Sequence, residues 1–221
     1  MKLIAEIILF LYLAGILFSA VMAFIQRKAI MSRRISILLP YIILVFIQET
    51  IFALAIYFDY KVSNAIVYNI YRPVSVIVFF WIYYHIPFMA PFRRLMLWLT
   101  VIYLGVVLIN YFFIESIFTV SSYLTLVRGF VITMYGILFL VRYFNLDNLS
   151  EEKYWRPLIW ITIGIVIFYP VISISINFQK YLAEASATLY GFKLYQIIPQ
   201  VMSIFMYSCF SYAFYLCKKI N

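Results

Sequence analysis

Three ionisable residues, Glu49, Arg72 and Arg128, stand inside long apolar stretches, where charge is expensive. A charge within a membrane-crossing segment faces the bundle interior, finds a partner or serves a function. The residue types matter here. A guanidinium is planar, stays charged when buried and holds a carboxylate or phosphate through two parallel hydrogen bonds. Two such groups with one carboxylate as counter-charge lean towards an anionic guest. The alternative is a closed salt-bridge network that fixes helix register and takes no ligand.

Polar residues at helical spacing extend the trio. Tyr68, Tyr71, Arg72 and Ser75 share one face, as do Ser121, Thr125 and Arg128. Tyr169, Ser173 and Asn177 make a third stripe, and Gln196, Gln200, Ser203 and Tyr207 a fourth. Gln48 adjoins Glu49, while Asn110 and Glu6 lie near the ends of their own segments. Such stripes turn inward, because lipid leaves their donors unmet. The expected ligand-binding set is therefore Arg72, Arg128, Glu49, Gln48, Tyr68, Tyr71, Asn110, Tyr169, Gln196 and Gln200. The three charges sit about 10–14 Å below the same end of their helices, at 1.5 Å per residue.

The elements that must position these residues are apolar runs near the ~20 residues a spanning helix needs. Seven appear, at about 3–25, 35–58, 65–86, 95–114, 120–143, 157–178 and 194–217. The chain is 67% hydrophobic and 11% charged, far from the make-up of a soluble domain. The implied fold is an all-α integral membrane protein, one seven-helix bundle over 1–221. The run at 3–25 is too long for a signal-peptide core and its basic residues follow it, so it reads as a retained helix.

Charge sets the expected orientation. One set of helix ends carries Arg27, Lys28, Arg33, Arg34, Arg93, Arg94, Arg142, Lys153, Arg156, Lys218 and Lys219; the other carries Lys2, Lys61, Lys180 and Lys193. The positive-inside rule then puts the N-terminus outside and the C-terminus in the cytoplasm, in a bacterial inner (plasma) membrane. It also accounts for the +9 formal charge without nucleic acid. A basic cytoplasmic face suits anionic lipid head groups. Boundary aromatics (Tyr57, Phe58 and Tyr60 outside; Trp81, Tyr83, Tyr84, Trp98 and Trp155 inside) read as a membrane belt. The loop at 179–193 reads as a small interfacial helix closed by Gly191.

Other features carry less chemistry. Pro73, Pro170 and Pro199 permit kinks. Gly15, Ser19 and Ala23 form a small-residue ladder for close helix packing. Cys209 and Cys217 are too far apart along a helix for a disulfide and read as packing residues, with acylation open to Cys217. Asn148 belongs to a glycosylation sequon on the cytoplasmic side. No phosphate-cradling loop, catalytic carboxylate pair, metal cluster or nucleophile–histidine pair is visible, so neither an enzyme nor a cofactor is expected.

Glu151 to Arg156 spell EExxxR, which resembles the first motif of the intramembrane CAAX-type proteases. That family's later histidines have no counterpart beside His85, and the motif falls in a loop. Ile198-Pro199-Gln200 is similar to the Pro-Gln pair of PQ-loop transporters, which carry it twice. Microbial rhodopsins share the helix count, but need a lysine mid-way along the last helix. A loose resemblance to the seven-helix sensory modules of bacterial signalling proteins implies a receptor or sensor. Such a protein would take a small anionic or amphiphilic ligand on its outer side and signal to a separate cytoplasmic partner, with the loop at 145–156 as the docking place. The alternatives are a small proton-coupled transporter using Glu49, and an assembly subunit with a structural charge network.

Overall fold

The computed structural model describes residues 2–58, 60, 65–119, 121–146, 149–178, 188–189 and 192–219. Among them lie α1 (Lys2–Ile25), α2 (Arg27–Ser32), α3 (Leu38–Tyr57), α4 (Ala65–Tyr84), α5 (Arg93–Ile109), α6 (Ser122–Tyr143), α7 (Leu149–Asn177) and α8 (Leu194–Lys219). Seven of these stretches are long and apolar enough to cross a membrane. Below, "upper" means the end of the bundle where the chain begins and "lower" the end where it finishes.

Helices α3, α1, α8, α7, α6 and α4 follow one another around the bundle, with α5 packed on α4 and α6. Side-chain size explains the uneven spacing. On α6, Gly129 lies against Ser173 and the Tyr169 carbonyl, and Gly136 against Val166 and Thr162. A Cβ at Gly164 would meet Cys209 and the Met206 carbonyl at 3.2 and 3.3 Å, so α7 and α8 also approach closely. Small residues let backbones come together in this way. Between α3 and α4 the backbones rarely approach. Long side chains bridge that gap: Phe52 stacks on Tyr68 with centroids 5.6 Å apart, and Tyr41 on Tyr71 at 5.8 Å.

The segment boundaries hold except at α7, which begins at Leu149 rather than 157. The polar stretch before Pro157 is thus two turns of helix. Pro157 lies inside this helix and leaves the Lys153 carbonyl without its helical donor, a local cost that the helix bears. The EExxxR residues stand on this helix and not in a loop. Nor is 149–156 a free docking loop: Trp155 is buried, the Tyr154 hydroxyl donates to the Ser32 carbonyl at 2.8 Å, and Tyr143 donates to the Glu152 carbonyl at 2.9 Å.

Other expectations are sharpened or corrected. Tyr83 and Trp155 are core residues, whereas Tyr57, Tyr60, Trp81 and Trp98 are exposed as a belt requires. All four tryptophans lie in the lower half. Cys209 and Cys217 are free and buried, and Cys217, with no exposed surface, is closed to acylation. Ser19 and Ala23 are buried within the chain, whereas a Cβ at Gly15 would meet nothing within 4 Å. Of the expected interfacial helix, 179–187 and 190–191 fall outside the described residues; Thr188–Leu189 and Phe192–Lys193 pair as two short antiparallel strands, β1 and β2. Asn148 also lies outside the described residues.

Candidate functional site

Pro73 is the local origin of the site's geometry. It has no N–H, so the carbonyl four residues back, that of Asn69, loses its helical donor. The Tyr111 hydroxyl takes that place and donates to the Asn69 carbonyl at 2.8 Å. Tyr111 reaches it from a π-helical turn, Asn110–Ile114, that ends α5. The Asn69 side chain meanwhile donates to the carbonyls of Ile117 and Thr119 at 2.7 and 2.8 Å. Its remaining oxygen accepts from the Arg72 guanidinium. One buried asparagine thus joins α4, the π turn, the following loop and Arg72.

Arg72 and Arg128 are both buried, 3% and 6% exposed, and lie close enough to feel each other's charge. Their surroundings differ. Arg72 has its bond to Asn69 and the field of Glu115. Arg128 makes no hydrogen bond among the described residues, and its Nε is fully enclosed. It lies over two aromatic faces instead, 5.7 Å from the Tyr71 centroid and 5.4 Å from that of Tyr169. Cation–π contacts of this kind stabilise a guanidinium without using its N–H donors. Among the described residues the protein supplies those donors with no acceptor.

The carboxylate of Glu49 accepts from the Tyr68 hydroxyl at 3.0 Å, with Tyr12 beside it. Among the described residues Glu49, Arg72 and Arg128 form no ion pair with one another. The closed salt-bridge network is therefore not what these side chains build. Tyrosine hydroxyls gather around them instead. Tyr41 bonds Tyr71 and reaches Tyr169 at 3.5 Å, and Tyr207 lies near Tyr71, Tyr169 and Glu49. Ser173 donates to the Thr125 carbonyl at 3.1 Å, fixing α7 on α6 next to Arg128.

The expected set divides accordingly. Arg72, Arg128, Glu49, Tyr68, Tyr71 and Tyr169 come together, with buried Gln48 beside Tyr68. Asn110 is buried and bonds Glu115 at 3.4 Å, and Glu115 in turn lies within the electrostatic reach of Arg72. Gln200 is half-buried on α8, with no bond to the trio among the described residues. The Gln196 side chain lies outside the described residues. Glu6 is exposed and does not balance the arginines.

Sequence reading missed Asn69, Tyr41, Tyr111 and Glu115. Asn69 stands three residues before Arg72, a spacing that puts both on one helix face, so a signal was present. Tyr41 and Tyr111 left none, because aromatic residues crowd every segment. Comparison with protein-family models, with curated proteins and with solved structures finds no match to this chain, so its own side chains carry the reading of the site.

Proposed function

We propose that this is a receptor- or sensor-like membrane protein whose upper half binds a small anionic or amphiphilic ligand and signals to a separate partner at the lower end. The observation that carries the proposal is Arg128, a buried guanidinium held between two tyrosine rings with no hydrogen bond among the described residues. Leaving such a group unmet costs several kcal/mol, which an incoming carboxylate or phosphate recovers. Arg72 adds a second positive charge, and the tyrosine hydroxyls add donors around both.

The excess of basic residues at the lower end makes that end cytoplasmic and the site outward-facing. Below the site Tyr83 pairs with Thr162 at 2.9 Å and Thr100 with Tyr135 at 2.7 Å, while the Ser19 and Thr133 hydroxyls are enclosed without a partner among the described residues. What favours sensing over a path for transport is that the charged residues well inside the apolar spans, Glu49, Arg72 and Arg128, are confined to the upper half. Pro73 and Pro170, inside helices that line the site, supply hinges through which occupancy moves the lower end.

The test is thermal unfolding of the purified protein across alkyl carboxylates, alkyl phosphates and inorganic anions, beside Arg128→Gln, Arg72→Gln and Glu49→Gln. One anion class should stabilise wild type, and that shift should vanish in Arg128→Gln while the variant stays folded. Folded variants that match wild type across the whole panel overturn the proposal.

A further inference from the structure

A second polar feature lies at the opposite end. The helical path of α1 breaks at Gln26, which takes φ −93° and ψ 16° before α2 begins. Between this break and the end of α8, Phe24, Ile25, Arg27, Lys28 and Lys218 are among the residues lining a recess of about 440 Å³. Among the described residues no acidic side chain lines it. Three cations gathered around one hollow repel one another and attract a counter-ion.

Two details give the recess a direction. The Arg27 guanidinium lies over the Phe24 ring, 4.8 Å from its centroid, so it is held at the mouth. Leading to it along α1 is an exposed apolar stripe of Leu17, Val21, Phe24 and Ile25. Their spacing places them on one side of the helix. Within a membrane that stripe is covered by lipid chains, and the cations stand at the end of it.

Three other arginines near this end are differently engaged. Arg33 donates to the Tyr154 and Ala29 carbonyls, Arg93 to Tyr84 and Arg142 to Phe88. Among the described residues the Arg27, Lys28 and Lys218 side chains donate no hydrogen bond to the protein.

We propose that this recess binds the phosphate of an anionic membrane phospholipid, with one acyl chain lying along the Leu17–Val21–Phe24 stripe. Anionic rather than zwitterionic head groups fit, because three positive charges outweigh one phosphate and disfavour a further ammonium. The site is independent of the one around Arg128.

The experiment uses the full chain in detergent, titrated with phosphatidylglycerol or phosphatidylcholine, with retained lipid read by native mass spectrometry and unfolding temperature followed in parallel. Wild type should retain phosphatidylglycerol selectively and be stabilised by it. Each cation replaced among Arg27→Gln, Lys28→Gln and Lys218→Gln should lower the apparent affinity roughly fivefold. The charge-preserving Arg27→Lys should keep most of it. Arg94→Gln with Arg156→Gln, exposed cations elsewhere on this end, should leave it unchanged. Equal retention of the two lipids by wild type overturns the proposal, and so does equal loss in the control pair. A full stabilising shift from inorganic phosphate alone would assign the recess to a soluble anion and overturn it as well.

Discussion

The arginines at the two ends of the bundle do different work. At the lower end Arg33, Arg93 and Arg142 each donate to main-chain carbonyls, and Arg33 and Arg93 also lie over the Tyr154 and Tyr84 rings. Their donors are used in joining α2 to α7, α5 to α4, and α6 to the turn before α5. At the upper end Arg128 has aromatic faces but no acceptor among the described residues, and Arg72 donates to the Asn69 side chain. Charge alone therefore does not distinguish structure from function here. What distinguishes them is whether the protein itself satisfies the donors.

Exchanging partners between these classes should break the comparison most visibly. Arg33→Ala removes charge-assisted bonds and a stacked ring, and should cost about 2–4 kcal/mol of unfolding free energy. Arg128→Met removes an unpaired buried charge and should leave stability unchanged or raise it by about 1–4 kcal/mol. Equilibrium unfolding in mild detergent reads both. Equal losses in the two variants would erase the distinction.

A smaller effect should follow at the residue connecting the upper site to its loop. Asn69→Ala strands the Ile117 and Thr119 carbonyls and should cost about 1–3 kcal/mol. Amide exchange should rise first in residues 115–119, ahead of the lower half. Uniform exchange across the chain would mean that Asn69 holds the whole bundle rather than the loop.

Gly129 and Gly15 sharpen the contrast between tight and open packing. Gly129→Ala drives a Cβ into the Ser173 side chain and should cost about 1–3 kcal/mol. Gly15→Ala meets nothing within 4 Å and should gain up to about 1 kcal/mol through helix propensity. The smallest effect is expected at Arg34, a lower-end arginine whose φ of 57° is left-handed. Arg34→Gly should relieve that strain and stay within about 1 kcal/mol of wild type, by the same unfolding measurement.

The seven spans were legible because lipid demands a fixed length of apolar residues and nothing else in the chain competes with that signal. The depth of Glu49, Arg72 and Arg128 was legible for the same reason. Their partners were not. Position along a helix follows from counting, whereas the direction in which a side chain points depends on how neighbouring helices are turned. Gly129 and Gly136 decide that through contacts with α7, so the absence of any Glu49–arginine pair had no signature in the spacing. The start of α7 at Leu149 was hidden by its charged first turns, which read as loop because hydropathy reports the membrane and not the helix.

The confinement of the tryptophans to one half also gives the protein two optical channels. With all four tryptophans in the lower half, excitation at the red edge of the indole band sees only that half. The rings packed around Arg128 are tyrosines, silent in that channel but visible in near-ultraviolet absorbance and Raman bands of the phenol. An event at the arginine would first perturb the phenol signal. A later change in tryptophan emission would time its arrival at the far end, with no label added.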